Sequence, residues 1–299
     1  EIASCLVGSE MCIRDRVYME AQESAGKKDG SQIKIAMRIL KDYAGEMVTL
    51  DQIDGDFCRG YITYLLTEYH PKGKDISNYT LHNYYRALNG ALNSAVRKKK
   101  MKANPFNELE KSEKIRKPES MRSYMTIEEV QALIDTPMPH EEYEIVKCAY
   151  LFSCFCGLRI SDIIKLKWND VFVDRGQYRL AVSMKKTKEP IYLPLSPEAL
   201  KWMPERGGKS SEDNVFDLPS ANTIRMQLKP WAKAAGISKR FSYHTSRHTF
   251  ATMMLTLGAD LYTVSKLLGH ADVKMTQVYA KIINKKKDEA VNLVNGLFH

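Results

Sequence analysis

The chain has 299 residues, 44% of them apolar, which is enough for two domains with cores of their own. Lys and Arg number 45 against 36 Asp and Glu, giving a formal charge of +9 and a pI of about 9.1, so a polyanionic partner, nucleic acid above all, fits better than an acid-loving or neutral one. No stretch reaches the ~20 apolar residues needed to cross a bilayer, and the six cysteines (Cys5, Cys12, Cys58, Cys148, Cys154, Cys156) lack both paired C-x-x-C groups and zinc-suited histidine spacing, so they read as reduced thiols of a cytoplasmic protein without a metal site.

Residues 1–16 contain an apolar run too short and badly flanked for a signal peptide, and they resemble translated sequencing-adaptor sequence. They are set aside as a non-native segment, and the chain is expected to be an N-terminally shortened fragment. From Ser31 the pattern turns helical, with Ile35, Ile39 and Tyr43 at four-residue steps beside Leu40. A second helix is expected from Asp54, carrying Phe57, Tyr61, Tyr64 and Leu65 until His70-Pro71 stops it. Ser77 and Thr80 open a third, whose stripe is Leu81, Tyr84, Tyr85, Leu88, Leu92 and Val96. Amphipathic helices with short connections make a small bundle over residues 17–106. The run Arg97, Lys98, Lys99 and Lys100 suits a solvated helix C-terminus and a phosphate contact equally well. Polar residues 107–121 then read as an extended linker before a second domain over 122–299.

Thr126-Ile127-Glu128-Glu129 is a capping box that opens the second domain. A helix from Glu142 carries Ile145, Ala149, Phe152 and Cys156 to Gly157 and delivers Gly157-Leu158-Arg159-Ile160-Ser161-Asp162. An arginine between apolar neighbours is costly to bury unless an anion or a partner such as Asp162 meets it. Val171–Val173, Tyr178–Val182 and Ile191–Leu195 read as strands, the first pair joined by a turn at 174–177 and the second by Lys185-Lys186-Thr187-Lys188-Glu189-Pro190. Ser196 to Ser238 is expected to return to helix, with Trp231 as core.

Three signals then fall together. His244 and Arg247 are three residues apart near the start of an expected helix, where an anion is favoured. A guanidinium there can hold two non-bridging phosphate oxygens while the imidazole moves a proton. Leu267-Leu268-Gly269-His270 follows, and Tyr279, nine residues beyond His270, offers a hydroxyl nucleophile. Each signal alone has a bland reading, and Gly269 in particular fits a left-handed helix end. Their joint spacing resembles the C-terminal signature of the tyrosine recombinase, or phage integrase, family.

The resemblance implies a mainly α fold with a small antiparallel β-sheet: a helical SAM-like core-binding domain and a mixed α/β catalytic domain that together clamp DNA. It implies that Arg159, in its Gly-Leu-Arg-x-Ser-Asp context, is the first catalytic arginine, and that Lys186 is the hairpin lysine that protonates the leaving 5′ oxygen, with Lys185 and Lys188 close by. Arg159 and Arg247 would neutralise the phosphate, His244 would handle a proton, His270 would position the phosphate and Tyr279 would attack it, with no cofactor. The implied partners are double-stranded DNA core sites, further protomers in a homotetramer on paired sites, and accessory DNA-bending or excision proteins. A type IB topoisomerase and a non-catalytic DNA-binding relative are the alternatives. The terminal stripe Ala290, Leu293, Val294 and Leu297 would pack on its own domain or on the next protomer.

Overall fold

The structure is a computed structural model and describes residues 30–45, 48–118, 122–183 and 190–280. The chain divides into two compact units, Glu1–Ser120 and Met121–His299. The candidate hairpin residues Lys185, Lys186 and Lys188, the segment 1–16 and the C-terminal stripe all lie outside the described residues.

The first unit is built on α1 (Gly30–Ala44), α2 (Gly55–Thr67) and α3 (Asn78–Arg97). Two of the starts are set locally: the Asp54 carboxylate accepts from the Phe57 amide at 2.8 Å, and the Ser77 hydroxyl accepts from the Thr80 amide at 3.3 Å, each satisfying a donor the helix leaves open. The apolar stripes meet in one core of Ile39, Leu40, Tyr61, Leu65, Leu88 and Leu92. The helix α3 ends on exposed Arg97, Lys98, Lys99 and Lys100, with Lys99 in the left-handed region at φ 58°. Buried Asn104 then donates to Asn89 and Asn93 side chains at 2.7 and 2.8 Å and accepts from the Phe106 amide, fixing the turn that brings Phe106 back to the core.

The expectation of an extended linker from residue 107 needs correction. Leu109 is buried in the first core, Ile115 packs against it, and Glu113 pairs with Arg59 at 2.9 Å. The charged residues hide two apolar anchors, and burying these outweighs what composition suggests.

In the second unit, α4 (Ile127–Asp135) starts at the Thr126–Glu129 capping box. The helix α5 (Glu144–Cys156) is the core element, with Val146, Ala149, Tyr150, Leu151, Phe152, Cys154 and Cys156 all buried. It stops at Gly157 (φ 74°), where a Cβ would fall 2.6 Å from Phe250. A short turn, α6 (Ile160–Ile163), follows. Strands β1 (Val171–Asp174), β2 (Gln177–Ser183) and β3 (Pro190–Pro194) form an antiparallel sheet in the order β1-β2-β3, and its first turn places Arg175 and Gly176 at positive φ between paired Asp174 and Gln177.

After α7 (Pro197–Lys201) the chain does not remain helical, contrary to the pattern expected for 196–238; the next helix is α8 (Ala221–Ala234). Pro204, Gly207, Gly208 and Pro219 break helix locally. The intervening segment instead pairs with 166–169, Val215 donating to Leu166 O at 2.8 Å, and buries Val215 and Phe216. Trp231 is fully buried, its indole N–H donating to Thr136 O at 3.0 Å. Helices α9 (Tyr243–Thr256), α10 (Leu261–Leu267) and α11 (Gln277–Ala280) complete the described unit, with α9 packed along α5. Burial pushes the thiols of Cys58 and Cys156 up to about 12, so both behave as apolar filling. Among the described residues no helix is long and apolar enough to cross a membrane.

Candidate active site

The site grows from the first turns of α9. Its start is held in two ways: Ser242 N donates to Thr245 Oγ1 at 3.0 Å, and the buried Tyr243 hydroxyl donates to Ala149 O of α5 at 2.7 Å. His244, in the first turn, is exposed, while Arg247 and His248, three and four residues on along the same side of the helix, are buried.

Arg247 is only 2% exposed. One terminal nitrogen donates to Gly157 O at 2.8 Å and the other to Leu268 O at 2.5 Å, so a single guanidinium ties the ends of α5 and α10 to α9. These carbonyls belong to helix ends that would otherwise lack donors. A guanidinium has five N–H groups, so the pairing with two carbonyls leaves donors for an anion. Burial, and then the like charge of Arg159, lower its pKa to about 10, leaving it cationic at neutral pH.

Arg159 caps α6. Its own amide donates to Asp162 Oδ2 at 3.3 Å, while the guanidinium stands 3.9 Å from the same oxygen and keeps 23% side-chain exposure. Buried Asp162 also accepts from Ser161 Oγ at 3.2 Å, so the carboxylate holds this turn together. Gly269, at φ 59°, ends α10 and leads directly to His270, whose Nδ1 lies 2.7 Å from the hydroxyl of fully buried Thr276. Burial, followed by Arg247 and Arg159, brings the His270 pKa down to about 4.

Tyr279 is 3% exposed, its ring lying in a small core with Phe250, Ala251, Leu255, Val264 and Leu268. Its hydroxyl meets Nδ1 of His248 at 2.5 Å. The His248 ring in turn stacks edge-on against His244, with centroids 4.5 Å apart. Burial raises the phenol pKa, opposed by Arg122, Arg247 and Arg159. His244 is lowered by desolvation first and then by Arg247, Arg122 and Arg159.

Arg159, His244, Arg247, His270 and Tyr279 therefore share one neighbourhood of the second unit. Two members were missed in the sequence. His248 stands one helical turn after His244, a spacing that was visible but unused. Arg122 acts electrostatically on all three histidines and on Tyr279. Its segment is fastened beside α9 by Ser123 Oγ donating to Arg240 O at 2.6 Å and Met125 N donating to Thr249 Oγ1 at 2.9 Å. Nothing local in the sequence marks it. The run Arg97–Lys100 belongs to the first unit.

Residues 123–286 match the model of the phage integrase family, and residues 16–116 match that of the phage integrase SAM-like domain. The chain is 29% identical over 242 residues to a tyrosine recombinase of Pseudothermotoga lettingae, a match covering 73% of this chain and 82% of that protein. It is 32% identical over 184 residues to the tyrosine recombinase XerD of Vibrio vulnificus, covering 56% of this chain and 59% of XerD. Similar folds are found in the Tn1549 transposon integrase in complex with a circular intermediate DNA (TM-score 0.70, 18% identity, 90% of this chain and 95% of that one). The XerH site-specific recombinase bound to a palindromic difH substrate is a further one (TM-score 0.69, 17% identity, 93% and 84%). With one model matching over half of the sequence and a second matching the helical part, the chain belongs to the phage integrase family, the tyrosine recombinases.

Proposed function

We propose that this protein is a site-specific recombinase that cuts and rejoins DNA strands through a covalent 3′-phosphotyrosyl intermediate. The observation that carries the reading is a tyrosine hydroxyl set among Arg122, Arg159 and Arg247 with three histidines, a group whose positive charge has Asp162 as its buried carboxylate. A cluster that sets three arginines beside one buried carboxylate suits an anion, and the anion a tyrosine attacks is a phosphodiester.

In this scheme the Tyr279 oxygen bonds to phosphorus as the bond from phosphorus to the 5′ oxygen breaks. Arg159 and Arg247 offset the charge that grows on the non-bridging oxygens. His270, held by Thr276, positions the phosphate; His244 takes up the proton that the Tyr279 hydroxyl gives up; Lys186 supplies the proton that the 5′ oxygen needs. The phosphotyrosyl bond conserves the energy of the broken diester, so a second strand is joined without ATP. The helical unit would bind the core site alongside the catalytic unit, with Arg97, Lys98, Lys99 and Lys100 on phosphates. Recombination would then use double-stranded core sites paired by a homotetramer, with accessory DNA-bending or excision proteins setting direction.

The test uses duplexes enriched from a random pool by binding to this chain and then nicked so that cleavage cannot reverse. The chain should become covalently attached through a 3′ phosphate, and Tyr279→Phe should bind equally well without forming the adduct. An adduct that persists in Tyr279→Phe would show that another residue attacks. Transfer of the held strand to a second duplex separates a recombinase from an enzyme that only reseals its own strand.

A further inference from the structure

We infer that His248 is a positioning residue for the nucleophile: as a neutral imidazole protonated at Nε2, it accepts the Tyr279 hydroxyl proton in a hydrogen bond at Nδ1 and so turns the oxygen's lone pairs toward the phosphorus. This rests on Tyr279 being the nucleophile.

The contact is built by three features of the fold. His248 lies on the inner face of α9, 7% exposed, so its ring has little freedom to turn away. The exposed His244, one turn earlier on α9, packs edge-on against it at 4.5 Å and closes one side. Tyr279 approaches from α11 with its ring wedged in the core of Phe250, Leu255, Val264 and Leu268, and its oxygen ends 2.5 Å from Nδ1. A phenol held only by its ring can rotate its O–H freely, and an O–H aimed at the phosphate would present hydrogen to the electrophile. A fixed acceptor removes that freedom, a gain of the orienting kind.

The electrostatic surroundings select the neutral form. The groups acting on His248 are His244 of its own helix, Arg122 from the segment before α4, Arg247 one residue earlier on α9, and His270 beyond α10, with the Tyr279 hydroxyl in direct contact. Burial first, then these charges, bring its pKa down to about 3, so the ring remains an acceptor through the physiological range. A protonated ring would instead donate at Nδ1 and occupy a lone pair of the oxygen that must attack. Arg247, which serves the phosphate, thus also helps to keep His248 neutral.

Two measurements test this on the full chain. Long-range proton–nitrogen NMR should place the His248 proton on Nε2 at neutral pH; a proton on Nδ1 overturns the inference. In the suicide-duplex assay, His248→Phe should slow adduct formation by on the order of 10²-fold at pH 7. That deficit should shrink as pH rises toward the phenol pKa, because a phenolate needs no acceptor. His248→Asn, whose side-chain oxygen can accept from the phenol, should recover most of the rate. Cleavage by His248→Phe as fast as or faster than the unaltered chain overturns the inference, the latter outcome making the contact a restraint, as does His248→Asn no better than His248→Phe. Should His248→Phe fail to fold, the NMR tautomer and the Asn variant decide alone. An adduct surviving in Tyr279→Phe would instead sink the assignment of the nucleophile, a distinct failure.

Discussion

Two groups of cations in this protein occupy opposite environments. Arg97, Lys98, Lys99 and Lys100 stand exposed where α3 ends, while Arg247 is buried and Arg159 is mostly covered. The exposed run sits at the negative end of a helix, where cations are favourable. Arg247 was taken from water at a desolvation cost that lowers its pKa, and its position is fixed by two backbone carbonyls instead of a carboxylate. The contrast separates two uses of positive charge: an exposed, salt-screened attraction for a polyanion, and a buried charge held in one geometry for one phosphate.

The largest effect should come from Arg247→Ala. Cleavage of the suicide duplex should fall by roughly 10²–10³-fold or more through the loss of one preorganised contact. Two helix-end carbonyls also lose their donor, at about 1–3 kcal/mol each, so the melting temperature should fall as well. A variant that melts like the unaltered chain and cleaves within tenfold of it would return Arg247 to an ordinary core role. Arg159→Ala should slow cleavage by a similar factor but leave stability closer to unchanged, since its guanidinium is 3.9 Å from Asp162 and partly exposed. Equal stability losses in the two variants would mean that Arg159 is as deeply built into the fold as Arg247.

Replacing Arg97, Lys98, Lys99 and Lys100 together by Gln should leave the adduct-forming rate on saturating DNA intact and weaken binding. The slope of log affinity against log salt should become shallower by about 0.9 for each phosphate contact removed. An unchanged slope would mean that these residues only complete a helix end.

The smallest effect concerns pH. His248 and His270 titrate near about 3 and 4 in the folded chain against an ordinary value of 6.5. Below pH 6.5 the unfolded chain binds protons that the folded one refuses, so stability present at neutral pH is lost as the pH falls toward 4. The melting temperature should therefore drop between about pH 7.5 and 5. Arg122→Gln removes a positive charge acting on all three histidines, so NMR titration should find their pKa values raised, and the acid loss of stability should become smaller and end at a higher pH. Histidine titrations unmoved by that substitution would take Arg122 out of the site.

What the sequence determined by itself is local. The caps at Asp54, Ser77 and Thr126, the turn at Arg175-Gly176 and the left-handed ends at Gly157 and Gly269 each depend on residues within four positions of one another, and each was visible as a pattern of residue types. The spacing of His244, Arg247, His270 and Tyr279 carried the family because the elements that set it are short and continuous.

Tertiary structure decided the rest, because those contacts join residues that no period or motif connects. Arg247 reaches Gly157 and Leu268 across 90 and 21 residues, and His248 reaches Tyr279 across 31. The same holds for Leu109 and Ile115 returning to the helical core and for Val215 pairing with Leu166 where helix was expected. Arg122 acts on the site only because Ser123 and Met125 are fastened beside α9. A buried group takes whatever partner the packed core brings to it, and that partner is chosen by the whole fold, since an unpaired polar group there would cost more than any local preference supplies.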